Sequence, residues 1–171
     1  MHLSSNFPGL HAFILEQFEL PLTSIHGPSH WARVERIGQR LAQHSTADPV
    51  VLELFSLLHD SRRTNDGWDL EHGPEAAQAM VKWRGTHFDC SDDQFNLLQY
   101  AVQHHTTGRP TPMVTIGACW DSDRLDLMRV GIRPDPGYLS LPHSREPETL
   151  LWAINQSLQE MYPGTKEITR L

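Results

Sequence analysis

The chain has 171 residues, 39% hydrophobic and 20% charged, the balance of a globular domain able to enclose its own core. A formal charge of −7 argues against an extended nucleic-acid surface, but not against a small anion met by a few local arginines. No run approaches the roughly 18–20 apolar residues of a membrane span. The start Met1-His2-Leu3-Ser4-Ser5-Asn6 lacks the basic and apolar regions of a secretory signal, so a cytoplasmic location is expected. Cys90 and Cys119 are the two cysteines; they exclude a disulfide framework and read as buried, reduced thiols.

A first helix is expected over residues 6–20, with Phe7-Pro8 near its start and Pro21 as its end. Phe13, Ile14, Leu15 and Phe18 give it an apolar side. After a loop over 21–28, a second helix runs from Pro28 or Ser29 to about Ser45. On it His30, Val34, Ile37 and Leu41 stand at offsets of 4, 7 and 11, a single helical face, so an imidazole points toward the core. Asp48 as N-cap and Pro49 in the first turn open a third helix, Val50–Leu58. That helix is apolar around most of its surface and therefore central, and Leu52, Phe55 and His59 share a face of it.

Residues 61–73 form a polar loop in which Asp66, Trp68 and Asp69 are candidates for a lid. Gly73-Pro74-Glu75 opens a fourth helix to about Trp83, with His72 just before it. Ser91-Asp92-Asp93 caps a fifth, Gln94 to about His105, whose inward stripe is Leu98, Ala101, Val102 and His105. Thr106-Thr107-Gly108-Arg109-Pro110 breaks the chain before a sixth helix, Met113 to about Arg129. There Ile116, Trp120, Asp123 and Leu127 fall on one face, which places a carboxylate on an apolar stripe. Gly131, Pro134, Pro136 and Gly137 force an irregular segment, and a last helix around Glu146–Met161 precedes a polar tail. With no alternating strand pattern and no repeat, the fold class is all-α, read as one domain over 1–171.

Four helices thus carry an inward metal-type ligand: His30, His59 with Asp60, His105, and Asp123. Any one of these histidines alone reads as an ordinary core imidazole. Together they mean that four independent core faces each give up a hydrophobe, and a buried carboxylate is tolerable only when paired or metal-bound.

The order His30, His59-Asp60, Asp123 resembles the H…HD…D signature of the HD-domain metal-dependent phosphohydrolases. The strings His30-Trp31-Ala32-Arg33-Val34, Leu57-Leu58-His59-Asp60 and Asp121-Ser122-Asp123-Arg124-Leu125-Asp126 carry the similarity, over about residues 25–130. The resemblance implies an HD-type helical bundle of about six to seven helices, its core at 25–130 with the first and last helices packed on it. It also implies that His30, His59, Asp60 and Asp123 hold one metal. The resemblance prefers Asp123 to Asp121, because the family's aspartate directly precedes a basic residue, here Arg124, and the helical face agrees; Asp121 is read as a helix-surface carboxylate or one supporting a ligand. Relatives with a second metal use further histidines between the HD pair and the last aspartate. His72 and His105 fit those positions, and Asp60 would then bridge both ions. His104 is either a ligand or a contact to ligand or substrate, since it lies about 100° off the His105 face. His26 is a possible ligand or a residue supporting one, and reads more readily as structural or substrate-facing.

The implied activity is hydrolysis of a small phosphoester, with a nucleotide as one candidate, by metal-activated water. Asp60 and Arg63 are the candidate catalytic residues, and Arg62, Arg63, Arg109 and Arg124 the candidate phosphate or substrate binders. The cofactor expected is one or two divalent ions, with Mn, Fe, Co, Ni, Zn and Mg all compatible with mixed His/Asp ligation. Substrate selection falls to the loops after residues 60, 105 and 130. Two other readings share the ligand set: an HD-type di-iron oxygenase, and a non-catalytic protein that binds metal or nucleotide.

Overall fold

The computed structural model describes residues 6–171; the start read above for a secretory signal lies largely outside the described residues, at 1–5. Among the described residues seven α-helices follow one another: α1 (Pro8–Gln17), α2 (Pro28–Gln43), α3 (Pro49–Leu58), α4 (His72–Trp83), α5 (Asp92–His104), α6 (Val114–Leu125) and α7 (Pro147–Met161). Short 3-10 turns at Leu127–Val130, Pro136–Tyr138 and His143–Arg145 join α6 to α7. Among the described residues no strand forms beyond an isolated bridge between Arg84 and Phe88. The all-α expectation holds, and no described helix is long and apolar enough to cross a membrane.

α3 is the axis of the bundle. Asp48 caps it by accepting from the N–H groups of Val50 and Val51, and every residue from Val51 to Leu58 is buried. α2 lies along one side of α3 and α5 along another; α6 closes against α2, and α4 pairs with α5. On α2 the stripe His30, Val34, Ile37, Leu41 is fully buried, so its imidazole does enter the core. The capping box on α5 is complete: Ser91 Oγ accepts from Gln94 N–H, and Gln94 Oε1 accepts from Ser91 N–H.

Four expectations need correction. α1 ends at Gln17, three residues before Leu20, because Phe18 turns to extended backbone and sets its ring edge-on against Trp31, centroids 5.0 Å apart. α6 ends at Leu125 and not near Arg129: Asp126 leaves the helix to bond inward, and Gly131, at φ +76°, ends the following 3-10 turn. His72 is the first residue of α4 and not a loop residue, because Asp69 accepts from the N–H groups of Glu71 and His72 and starts the helix early. Of the two thiols, Cys119 is buried but Cys90 only half-buried.

Candidate metal centre

Five elements deliver side chains to one point in the core. His30 comes from the first turn of α2, His59 and Asp60 from the turn ending α3, and His72 from the start of α4. His105 closes α5, and Asp123 stands in the last turn of α6. The α3 end is shaped locally: Ser61 Oγ donates back to Leu58 O at 2.7 Å, so the chain turns at once and Asp60 faces the same space as His59.

Two sets of atoms meet on the two oxygens of Asp60. Oδ2 lies 3.5 Å from His30 Nε2 and 3.6 Å from His59 Nε2. Asp123 Oδ1 completes that side, 3.4 Å from His30 Nε2 and 4.0 Å from His59 Nε2. Oδ1 of Asp60 lies 3.1 Å from His72 Nε2 and 3.5 Å from His105 Nε2. The facing imidazoles are close, 3.0 Å between the Nε2 atoms of His30 and His59 and 2.8 Å between those of His72 and His105.

The far nitrogen of each ring decides what the near one is. Nδ1 of His59, His72 and His105 faces a backbone carbonyl, of Phe55, Asp69 and Val102 respectively, at 2.7–3.0 Å. A carbonyl oxygen can only accept, so those Nδ1 atoms carry hydrogen, and any lone pair the rings offer is on the inward Nε2. Nδ1 of His30 faces Asp126 at 2.7 Å in the same manner. Lone pairs and carboxylates this close are tolerable only with a cation, a proton or a metal ion, between them. Asp123 Oδ1 is buried without a hydrogen-bond partner, an acceptor that such a cation would satisfy.

Electrostatics fit the same use. Burial pushes His59 down to about 3 against the pull of Asp60, so its ring is neutral and available at neutral pH. Burial alone would raise Asp60, but His59, His105, His26 and His72 around it hold its carboxyl well below the usual range. Asp123 behaves likewise, with His30 and Arg129 outweighing its burial. His105 goes the other way: burial lowers it, yet the hydrogen bond to Asp60 raises it overall.

The remaining predicted residues separate clearly. His26 is buried beside the centre, with Nδ1 2.7 Å from Asp60 Oδ2. His104 is half-buried on the other side of the α5 end, its ring 4.5 Å from that of Tyr100, and belongs to none of the ligand groups. Arg62 points away to Glu19, 4.0 Å distant, and does not line the cavity above the centre. Arg63, Arg109 and Arg124 do line it, as do Asp66 and Trp68, whereas Asp69 is spent on capping α4. Asp121 is fully buried and not on the helix surface; it accepts from the N–H groups of Ser140 at 2.7 Å and Leu141 at 2.8 Å. It therefore ties α6 to the segment before α7.

Sequence reasoning missed two residues. Asp126, fully buried, accepts from Arg33 Nε at 2.7 Å and Ser157 Oγ at 2.6 Å as well as from His30. Burial would raise it, but His30 and then Arg33 bring it down to about 2. Arg129 donates to Ile25 O at 3.1 Å and places its guanidinium 3.6 Å from Asp123 Oδ1. The signal was present: Asp126 follows Asp123 by three, and Arg33 follows His30 by three, one helical turn each.

Above the centre a cavity of about 720 Å³ opens, with Asp60, His105 and Asp123 among its lining and Arg63, Arg109, Arg124, Arg129 and Arg133 on its walls. The chain matches no protein-family model, no curated protein and no solved structure. What the geometry itself establishes is a buried His/Asp cluster able to hold a metal ion, in groups that include His30, His59 and Asp123, and Asp60, His72 and His105.

Proposed function

We propose that the protein is a metal-dependent phosphohydrolase of HD type that cleaves a small phosphoester, with nucleotides among the candidates. The observation that carries this reading is that His30 and His59 face one oxygen of Asp60, and His72 and His105 the other, beneath an arginine-lined cavity. In this reading His30, His59, Asp123 and Asp60 would hold one divalent ion, and His72, His105 and Asp60 a second. Ions bound there supply Lewis acidity, acidifying a water and offsetting charge that develops on the phosphoryl oxygens. The water oxygen bonds to phosphorus, the ester P–O bond breaks, and the alcohol leaves with the proton the water gives up.

The protein's own part is positioning and charge. Arg63 is held by Gly67 O at 2.9 Å and stands 3.5 Å from Asp60, where its fork can meet a phosphoryl oxygen beside the ions. Arg124 donates to Gly108 O and Tyr138 O, which fixes a second guanidinium on the wall. His26 steadies the Asp60 carboxylate by its hydrogen bond to Oδ2. Five arginines on one cavity of a chain with net charge −7 favour an anionic substrate over the neutral organic substrate an oxygenase could take.

The test is metal quantification on protein purified without added metal, followed by a phosphoester and nucleotide panel with each candidate ion. Two divalent ions per chain and phosphate release are expected. Two irons with oxygen uptake and no phosphate release would replace the hydrolase by an oxygenase, and bound metal and nucleotide without turnover would leave a binding protein. Asp60→Ala should abolish both metal retention and turnover; an active, metal-free variant would overturn the assignment.

A further inference from the structure

The five cavity arginines are not equivalent. Arg63, Arg124 and Arg129 are fastened to backbone carbonyls. Arg109, in the turn between α5 and α6, and Arg133, in the segment after the Leu127–Val130 turn, are exposed and have no hydrogen bond or ion pair among the described residues. The carboxylates that line the cavity away from the centre do not serve them. Asp66 accepts from Ser24 Oγ at 2.5 Å, and Asp135 accepts from Gly137 N–H at 2.8 Å.

An exposed arginine is ordinary by itself. Here five of the chain's 14 basic residues, and neither lysine, converge on one cavity, which already contains the metal-type centre at its floor. At about 720 Å³ that cavity is far larger than a phosphoryl group needs and falls in the size range that holds a whole organic ligand. Its wall includes Leu127 and Ile132, together with the rings of Trp68 and Tyr138, 84% and 66% exposed. Apolar and flat surfaces of this kind suit the body of a ligand and not its charge.

Resting on the hydrolase reading, we propose that the substrate carries a second anionic group remote from the scissile phosphoryl, bound by Arg109 and Arg133, with an apolar or aromatic body between the two charges. The second group is a phosphate or a carboxylate, since the guanidinium fork recognises both in the same bidentate manner.

Three aryl esters read this out with manganese-loaded protein: phenyl phosphate, 4-carboxyphenyl phosphate and 1,4-phenylene bisphosphate. The doubly anionic esters should have kcat/KM at least about tenfold above phenyl phosphate, mostly through KM, the size of a hydrogen bond to a charged group. Whichever ester gains more identifies the second anion. In R109A/R133A the ratio should fall to near one, with metal content and thermal stability unchanged. Equal kcat/KM across the series, or a preference that survives in R109A/R133A, would overturn the inference. If no ester releases phosphate, the hydrolase reading fails, and calorimetric binding of 1,4-phenylene bisphosphate against phenyl phosphate decides the subsite separately. About tenfold tighter binding that is lost in R109A/R133A supports it, and equal binding overturns it.

Discussion

Asp126 touches no ligand space itself, yet it fixes how His30 presents Nε2. Its two oxygens take three donors, and the Nδ1–H of His30 is one of them. Groups in this position orient a ligating imidazole and raise its basicity, and their loss typically costs about 10–100-fold in metal affinity. Asp126→Asn should therefore weaken metal binding by about that factor, measured by titration of chelated protein with the ion. An unchanged dissociation constant would show that His30 is oriented by packing alone. The same change leaves the buried Arg33 without its nearest carboxylate, so a stability loss of about 3 kcal/mol in denaturant unfolding should accompany it. Ser157→Ala removes one neutral donor and leaves the charge pair, and should cost only about 1 kcal/mol.

At the scale of elements, the site depends on how closely α4 approaches the end of α5. Gly73 allows that approach: a Cβ there would sit 2.9 Å from Val102 O, 3.2 Å from Gln103 O and 3.2 Å from His105 Cε1. Two of those neighbours are backbone and cannot swing aside. Gly73→Ala should push the helices apart, cost about 1–3 kcal/mol, and lower metal stoichiometry through the His72–His105 pair. Thermal melts and metal analysis of the variant check both effects, and a fully loaded variant of wild-type stability would refute them. The helices were legible in the sequence because their starts carry proline or capping chemistry, as at Asp48-Pro49 and Ser91, and their inward stripes keep a strict period. Their ends were less legible, since Phe18 and Asp126 leave helical backbone for partners that no local pattern reveals. The inward histidines and Asp123 were readable as interruptions of apolar faces. Arg63 was set apart from Arg62 by the family resemblance and not by any local pattern, for which of two adjacent arginines meets the cavity depends on the turn after Asp60.

For the molecule as a whole, the metal-free protein should be most stable near pH 6.5. His59 is held at about 3, against 6.5 for an ordinary histidine, so between those values the unfolded chain binds a proton that the folded one refuses. Stability therefore falls as pH drops through that window, by on the order of 5 kcal/mol for this group. Burial lowers His26 and His11 as well, and they act in the same direction. Asp126, at about 2 when folded, adds stability that is present above the ordinary carboxylate value of 3.8 and lost as pH falls through 2. His105, raised by Asp60 against its burial, opposes them only on the alkaline side: its contribution is full below 6.5 and lost as pH rises through its folded value. Melting temperature of chelated protein from pH 4 to 8 measures the balance, and a flat profile would contradict it.

The ligands that meet at Asp60 are drawn from residues 30 to 123, most of the length of the bundle. An ion gripped by all of them acts on the chain as a set of reversible cross-links, each closing a loop that the unfolded polymer would otherwise leave open. Chelation should then resemble the reduction of a multiply bridged protein: little change in the fold at rest, but a lower urea midpoint and faster unfolding. On this view histidines and aspartates far apart in the sequence would fasten distant segments together wherever the ion is available.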